Sequence, residues 1–188
     1  MDVMGNFKKE FTAVEVGVSK GDNAVDMLDN CPKISRLYLV DSYQPWTRWF
    51  TNELAHPYTP EKAKEFVQKV AQRFAPYNGR VKLIIRDSVE ASKLFADESI
   101  DYIYIDASHD YESVKKDLTA WYPKVKLGGM LAGHDSYYDG VQKAVIEFAA
   151  NMKIHIFSVS SFSTIGYPPS RFSIAFDWWT WKFSWNNS

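Results

Sequence analysis

The stretch that decides the fold is Ile100–Asp135, with the sequence IDYIYIDASHDYESVKKDLTAWYPKVKLGGMLAGHD. It begins with the apolar run Ile100–Asp106, continues with the helical pattern Tyr111–Trp121 and ends with a second apolar run, Val125–Gly133. A strand, a crossover helix and a second strand at this spacing form a βαβ unit with parallel strands. Nearly continuous apolar runs are typical of strands that are buried on both faces.

The remainder of the chain repeats this alternation. Further strands are predicted at Thr12–Val18, Arg36–Asp41, Val81–Arg86, Lys153–Val159 and Arg171–Trp178, and further helices at Asp22–Asp29, Glu61–Phe74, Ser88–Phe95 and Val141–Ala150. The pattern predicts an α/β fold with a mostly parallel sheet of seven strands and helices on both faces. No helical pattern separates the last two strands, so we expect a hairpin and one antiparallel strand.

Composition excludes several classes of protein. The chain has 188 residues, which predicts a single domain over residues 1–188. Lys and Arg number 22 against 23 Asp and Glu, so we expect no dedicated nucleic-acid surface. Cys31 is the only cysteine, which excludes an intrachain disulfide and a multi-cysteine metal site. The sequence shows neither a signal peptide nor a transmembrane run, so we expect a cytoplasmic protein with no membrane association.

A helical insert is predicted at about residues 42–80, between the second and third strands. Inserted material that follows a strand's carboxyl end lies over the ligand crevice of a parallel sheet. The insert therefore has two interpretations, a lid or substrate wall and a helix pair that packs on the sheet.

The aromatic residues, 16% of the chain, divide into two groups. Residues in connections at the carboxyl ends of the strands are candidate walls of an acceptor site: Tyr43, Trp46, Trp49, Phe50, Tyr137, Tyr138 and Tyr167. A terminal antiparallel strand carries the second group toward the opposite end of the sheet: Trp178, Trp179, Trp181 and Trp185. We expect this second group to serve in packing or in a homo-oligomer interface.

Three strand ends carry residues that suit a nucleoside ligand. The turn Glu15–Gly21 offers glycines at Gly17 and Gly21, a helix N-terminus and an acid for a cationic group. Asp41 can accept from both hydroxyls of a ribose, and Asp87, followed by Ser88, can accept from an exocyclic amine. The third glycine of the dinucleotide fingerprint is missing. The set therefore favours S-adenosylmethionine over a nicotinamide cofactor.

The sequence resembles the class I S-adenosylmethionine-dependent methyltransferases, and within them the small-molecule and sugar O-methyltransferase group of the Methyltransferase 24 type. The resemblance rests on D-x-x-H-x-Y at Asp106–Tyr111 and on G-G-x-x-x-G-H-D at Gly128–Asp135. It implies a Rossmann-like sheet of strand order 3-2-1-4-5-7-6 with the last strand antiparallel. It also implies donor binding by the turn Glu15–Gly21, by Asp41, and by Asp87 with Ser88.

His109 is the candidate general base, because a hydroxyl acceptor must lose a proton and an imidazole can take it near neutral pH. The alternative is that His109 caps the following helix or bonds a nearby backbone group. Asp106, at the end of the fourth predicted strand, is a candidate for both the catalytic and the cofactor-binding residues.

In metal-dependent relatives, acids after the fourth and fifth strands hold a divalent cation such as Mg²⁺. Asp106 and Asp135 occupy those places, and His134 stands where such relatives carry a second acid. The three residues are therefore the candidate metal site. The alternative is that Asp135 only orients His134 or caps the next turn.

The leading hypothesis is an S-adenosylmethionine-dependent methyltransferase that O-methylates a small hydroxylated acceptor such as a carbohydrate. One alternative is a non-catalytic binding module that keeps the fold. Another is a nicotinamide-dependent oxidoreductase, against which the missing glycine counts.

Overall fold

The computed structural model describes Phe7 and residues 9–44, 59–77, 79–160 and 176–183. Strands and helices alternate along these ranges. The strands are β1 (Phe11–Val16), β2 (Ile34–Asp41), β3 (Val81–Ile85), β4 (Ile100–Ile105), β5 (Val125–Gly133), β6 (Phe157–Ser160) and β7 (Phe176–Trp181). The helices are α1 (Asp22–Asn30), α2 (Pro60–Phe74), α3 (Ser88–Ser92), α4 (Tyr111–Trp121) and α5 (Asp139–Met152), with 3₁₀ turns at Ala75–Tyr77 and Tyr122–Lys124.

The strands form one sheet in the order β3-β2-β1-β4-β5-β7-β6. Strands β1 to β5 pair in parallel, whereas β7 lies antiparallel to both β5 and β6. The predicted strand order and the predicted antiparallel strand are both confirmed. The connections from β1 and β4 leave the sheet in opposite directions, and ligands of parallel sheets bind at such a reversal point.

Helices cover both faces of the sheet. Met27 of α1 and Phe74 of α2 pack on one face, and Leu118 of α4 and Val145 of α5 pack on the other. Burial of each large apolar side chain stabilises the fold by roughly 1.5–3 kcal/mol. These two layers hold the carboxyl ends of the parallel strands in fixed positions.

The second half of the predicted insert packs on the sheet as helix α2. Thr59 caps it by accepting a hydrogen bond from the Lys62 N–H at 3.3 Å, and Pro60 occupies its first turn. Val70 and Phe74 are buried in the core. The packing interpretation therefore holds for residues 59–77, while Trp46, Trp49 and Phe50 lie outside the described residues.

The boundaries of the last two strands differ from the predicted ones. Helix α5 continues to Met152 and ends at Lys153, which has a left-handed backbone (φ 54°), so β6 begins only at Phe157. Strand β7 extends to Trp181 instead of ending at Trp178, since its side chains pack on both faces of the sheet. Residues 171–175 of the predicted strand lie outside the described residues.

The tryptophans of β7 are packing residues in the described sheet. Trp178 is 1% exposed and lies opposite Gly133, at the carboxyl end of β5. The expectation that Trp178 would lie toward the opposite end of the sheet is wrong. Strand β7 runs antiparallel to β5, so Trp178, near the start of β7, lies beside the carboxyl end of β5. The later residues of β7 lie farther from that end, with Trp181 opposite Met130. Trp185 and Tyr167 lie outside the described residues.

None of the helices in the described ranges has the length and apolar composition that a bilayer crossing requires.

Candidate active site

A cleft of about 600 Å³ opens at the carboxyl ends of β1 to β4. Its volume lies within the range of about 300–1,000 Å³ that is usual for small-molecule sites. Of the predicted site residues, the cleft is lined by Gly17, Asp41, Asp87, Ser88, Asp106 and His109. The structure therefore brings most of the predicted donor residues and the candidate base to one place.

The two glycines of the first turn are required by the packing of the protein itself. Gly17 has φ 87°, and a Cβ there would lie 2.1 Å from the Asp106 carbonyl oxygen. Gly21 has φ 80°, and a Cβ there would lie 2.6 Å from the Phe74 ring. Only glycine adopts these angles without strain. The turn therefore brings β1 and β4 close together, and Gly21 begins α1 beside α2.

Asp41 organises the backbone of the cleft. Its Oδ2 accepts hydrogen bonds from the N–H groups of Val18 and Ser19, both at 2.9 Å, and its Oδ1 accepts from the Tyr43 N–H at 2.8 Å. A carboxylate has about four acceptor positions, so one remains for a ribose hydroxyl. Ser19 and Tyr43 both have positive φ, a backbone conformation that non-glycine residues rarely adopt.

Glu15 is a buried acid directly below the turn. It is 1% exposed; Oε1 accepts from the Asn23 side chain at 2.8 Å, and Oε2 has no protein partner among the described residues. Burial raises the pKa of Glu15 to about 8, with the Asn23 hydrogen bond opposing the shift and the charges of Asp106 and Asp41 adding to it. Three carboxyl groups thus gather at adjacent strand ends, which suits a cationic ligand.

The far end of the cleft is formed by α3 and α4. Asp87 caps α3 by accepting from the Glu90 N–H at 3.2 Å. The Ser88 hydroxyl donates to Asp117 at 2.5 Å and accepts from the Trp121 indole N–H at 2.8 Å. Asp117 is not among the predicted site residues, because an acid that follows two lysines on a helix carries no local sign of burial; the structure buries it to 5% exposure.

His109 and Asp135 form a close pair at the mouth of the cleft. His109 Nε2 lies 2.9 Å from Asp135 Oδ2 and 3.8 Å from Asp106 Oδ1. The cap of α4 is Asp110, which accepts from the Ser113 N–H at 3.0 Å, so His109 is not the capping residue. The His109 ring also stacks on Tyr138, with centroids 4.8 Å apart.

Neighbouring carboxylates raise the pKa of both His109 and His134. Burial disfavours the His109 cation, but contacts with Asp106 and Asp135 outweigh burial and raise the pKa of His109 to about 9. The hydrogen bond with Asp135 likewise raises the pKa of His134. Burial opposes the charge of Asp135, yet His109 and His134 together hold the pKa of that carboxyl well below its usual range.

Asp106, His134 and Asp135 also lie close enough to share a cation. One ligand atom from each lies within 4.8 Å of the others, and His134 Nδ1 is 3.0 Å from Asp135 Oδ1. Two carboxylates and an imidazole fit a first-row divalent ion such as Mn²⁺ better than Mg²⁺, which prefers oxygen ligands. The predicted residues are thus brought together, with a donor set that differs from that of an all-oxygen site.

A hydrogen-bonded pair that the sequence did not predict, Tyr104 and Asp177, lies beside this cluster. The Tyr104 hydroxyl donates to Asp177 Oδ1 at 2.8 Å, and His134 Nε2 lies 4.0 Å from the same oxygen. Asp177 lies on β7, next to the carboxyl end of β5. Its place depends on strand pairing, so no local motif could have indicated it.

A family model described as a methyltransferase domain matches residues 14–136. The chain belongs to this methyltransferase family. The prediction of an S-adenosylmethionine-dependent methyltransferase is thereby confirmed. The match covers the cleft from the turn at Gly17 to the cluster at Asp135. No curated protein matches the chain.

Solved structures share the fold of this methyltransferase at low sequence identity. The Streptococcus mutans protein SMU.1697c, solved in complex with SAH, is similar with TM-score 0.60 and 16% identity, over 93% of this chain and 90% of that one. A SAM-dependent O-methyltransferase from Thermotoga maritima has TM-score 0.61 and 15% identity, over 98% and 64%. Spermidine synthase from the same organism reaches TM-score 0.57 and 15% identity, over 93% and 53%. The fold alone therefore does not select the acceptor.

Proposed function

We propose that this methyltransferase transfers the methyl group of S-adenosylmethionine to a hydroxyl group of a small acceptor, with a carbohydrate as the acceptor class to test first. The observation that carries the proposal is the pair of His109 and Asp135, 2.9 Å apart, at the mouth of the cleft. An oriented imidazole beside the donor site is the arrangement that a hydroxyl acceptor needs.

The donor end of the cleft suits the charges of S-adenosylmethionine, which carries a sulfonium and an amino cation. Glu15, Asp41 and Asp106 place carboxyl groups at three neighbouring strand ends. A cation there relieves the mutual repulsion of these groups. The free oxygen of Glu15 is a suitable acceptor for an amino group, since it has no protein partner among the described residues.

His109 takes the proton of the acceptor hydroxyl during an in-line displacement. The oxygen forms a bond to the methyl carbon while the carbon–sulfur bond breaks, and S-adenosylhomocysteine leaves with the electron pair on sulfur. Because Nε2 is held against Asp135, the other ring nitrogen, Nδ1, is the one that receives the proton. The neighbouring sulfonium lowers the pKa of His109, so donor binding favours the neutral base.

A divalent cation is a second proposal at the same place. Asp106, His134 and Asp135 would hold it, and when bound it would polarise the acceptor hydroxyl and lower its pKa. Dialysis against EDTA, followed by addition of Mn²⁺ or Mg²⁺, measures its role. We expect Mn²⁺ to restore more activity than Mg²⁺. Full activity in EDTA would remove the metal from the proposal and leave the imidazole as the only activating group.

The acceptor class is proposed from the groups beside His109 and His134. The rings of Tyr137 and Tyr138 are tilted against each other with centroids 4.4 Å apart, and Asp177 adds a half-exposed carboxylate. Aromatic faces with a carboxylate suit a sugar ring, whose hydroxyl groups can donate to the acid.

Transfer of labelled methyl from S-adenosylmethionine to a panel of sugars, phenols and amines tests the function. We expect hydroxyl acceptors to be labelled and His109→Gln to slow transfer about 10²- to 10⁴-fold, with affinity for S-adenosylhomocysteine within about twofold of the wild type. Donor binding without labelling of any hydroxyl acceptor would favour the non-catalytic module. Equal turnover by the variant would remove His109 as the base.

A further inference from the structure

Gly140 lies in the first turn of α5, where it contacts the backbone of the segment that carries His109. A Cβ at this position would lie 2.4 Å from the His109 carbonyl oxygen and 2.9 Å from the Tyr111 backbone nitrogen. Ordinary van der Waals contact begins at 3.4 Å, so a side chain here would force the two backbones apart by about 1 Å. Gly140 therefore permits an approach of α5 to the start of α4 that no residue with a Cβ would permit.

The close approach is the reason for a glycine at this position. Gly140 is not among the residues with positive φ, so its backbone conformation is one that other residues adopt readily. Alanine also favours helix formation more than glycine does. Neither backbone conformation nor helix propensity accounts for the glycine, whereas the contact with the His109 segment does.

The two segments that meet at Gly140 carry the two members of the His109–Asp135 pair. His109 lies two residues before α4, and Asp135 lies four residues before α5. Asp135 Oδ2 is 2.9 Å from His109 Nε2, and the Tyr138 ring lies nearly parallel to the imidazole with centroids 4.8 Å apart. The Tyr138 N–H donates to the Asp135 carbonyl oxygen at 3.0 Å, which closes the turn between them. The distance from imidazole to carboxylate therefore depends on how closely the starts of α4 and α5 approach.

A polar cluster fastens the same two helices to each other. The Tyr111 hydroxyl donates to Glu147, and Lys115 Nζ lies 2.8 Å from Glu147 Oε1 and 3.0 Å from the Tyr111 hydroxyl. Lys143 lies over the Tyr111 ring, 4.5 Å from its centroid. Because Tyr111 is the first residue of α4 and its backbone adjoins Gly140, this cluster holds α4 against α5 next to the glycine.

We propose that Gly140 is a positioning residue, which lets the His109 imidazole reach the Asp135 carboxylate and so holds the base where it must meet the acceptor hydroxyl. This inference rests on the proposed function, since it names the residue that places the proposed base. A displacement of about 1 Å at a reacting group can slow a reaction about 10²-fold. Gly140 is not among the described residues that line the cleft, so its effect reaches the reaction through His109.

Methyl transfer by Gly140→Ala to the best acceptor of the sugar and phenol panel, at the pH optimum of the wild type, tests the proposal. We expect kcat to fall about 10²-fold, while KM for the acceptor and the affinity for S-adenosylhomocysteine stay within about twofold of the wild type. In a His109→Gln background, Gly140→Ala should change kcat less than about threefold, because residues that act as one unit are not additive.

Ala144→Val is the matched control. It adds volume to the buried core one turn farther along α5, where Ala144 is 1% exposed. We expect this variant to lower the thermal stability by overpacking and to keep kcat within about twofold of the wild type.

The ring signals of His109 in ¹⁵N-histidine NMR spectra give a second readout, which needs no turnover. The chain has four histidines, and His109→Gln identifies the signals of this one. In the ligand-free protein we expect Gly140→Ala to move these signals in the direction in which Asp135→Asn moves them, and Ala144→Val to leave them in place.

An equal loss of kcat from Gly140→Ala in the wild-type and His109→Gln backgrounds would overturn the proposal, and so would unmoved His109 signals. A wild type that methylates no acceptor would overturn the proposed function, while the NMR comparison would still decide whether Gly140 places His109. If Gly140→Ala does not fold, Tyr111→Phe loosens the same junction. We then expect kcat to fall about three- to tenfold, only when His109 is present, and an unchanged kcat would contradict the proposal.

Discussion

At the scale of single residues, Asp106 and Asp135 together raise the pKa of His109. The imidazole is a base only when neutral, and a pKa of about 9 leaves roughly 1% of it neutral at pH 7 in the free protein. We expect kcat/KM for a hydroxyl acceptor to rise with pH up to about 9. A pH series of initial rates measures this, and a profile that is flat between about pH 6 and 10 would contradict it.

Asp135→Asn is the matched variant for that profile. It removes the nearer carboxylate, so the pKa of His109 falls toward its ordinary value near 6.5. We expect the rising limb of kcat/KM to move to lower pH while the maximum rate falls, because the imidazole loses its orientation. A limb that stays in place would show that another group titrates.

Glu15 links donor binding to stability. Its pKa is raised from 4.5 to about 8, so the folded state binds more protons than the unfolded state in that interval and stability falls as pH rises through it. We expect Glu15→Gln to raise the free energy of unfolding of the ligand-free protein by about 1–3 kcal/mol at pH 8 and to weaken S-adenosylmethionine binding. Urea unfolding and calorimetry measure the two effects. A variant that is less stable at pH 8 would contradict the assignment.

At the scale of elements, the first turn depends on the close approach of β1 to β4. A Cβ at Gly17 would meet the Asp106 backbone at 2.1 Å, whereas a Cβ at Gly79, with the similar φ of 76°, meets nothing within 4 Å. We expect Gly79→Ala to lower the free energy of unfolding by about 1 kcal/mol through backbone strain, and Gly17→Ala to lower it by several kcal/mol more. Thermal unfolding compares them, and equal costs would show that φ alone matters.

The elements were predicted more completely than the contacts between them. Apolar runs such as Ile100–Asp106 and the acids and glycines that end them are local signals, and they were sufficient to predict the parallel strands and the helices between them. The strand order was implied by the resemblance to the methyltransferases. The burial of Asp117 follows from the docking of α4 against α3, where its partner Ser88 is 29 residues away. The pairing of Asp177 with Tyr104 spans 73 residues. Helical periodicity and motif spacing carry no information on such contacts.

At the scale of the whole molecule, β7 joins β6 to the remainder of the sheet. Trp178 and Thr180 are each 1% exposed within it. We expect truncation after Asp177 to abolish cooperative unfolding, because it removes these two buried residues and leaves β5 unpaired on the side that β7 occupies. Circular dichroism with thermal melting measures it. A folded, truncated chain that only loses acceptor binding would contradict the packing role.

The homo-oligomer predicted through the tryptophan-rich strand stays a prediction. The pairing of the strands limits which surface of the sheet could form its interface. Both sides of β7 are hydrogen-bonded, to β5 and β6, so it cannot pair edge to edge with a second copy. An interface would have to use side chains on the sheet's face, such as the exposed Phe157 that stacks on Trp179. Sedimentation of the wild type and of Phe157→Ser would measure it.

The place of β7 also has a consequence for the order of events on the ribosome. Strand β6 is made before β7, yet in the described sheet it pairs with β7 alone. The sheet can therefore assemble from β1 to β5 as they emerge, while β6 must wait for a later segment to enter between it and β5. Strand β6 is consequently the last to become protected, and the methyltransferase cannot complete its sheet until β7 has left the exit tunnel as far as Trp181.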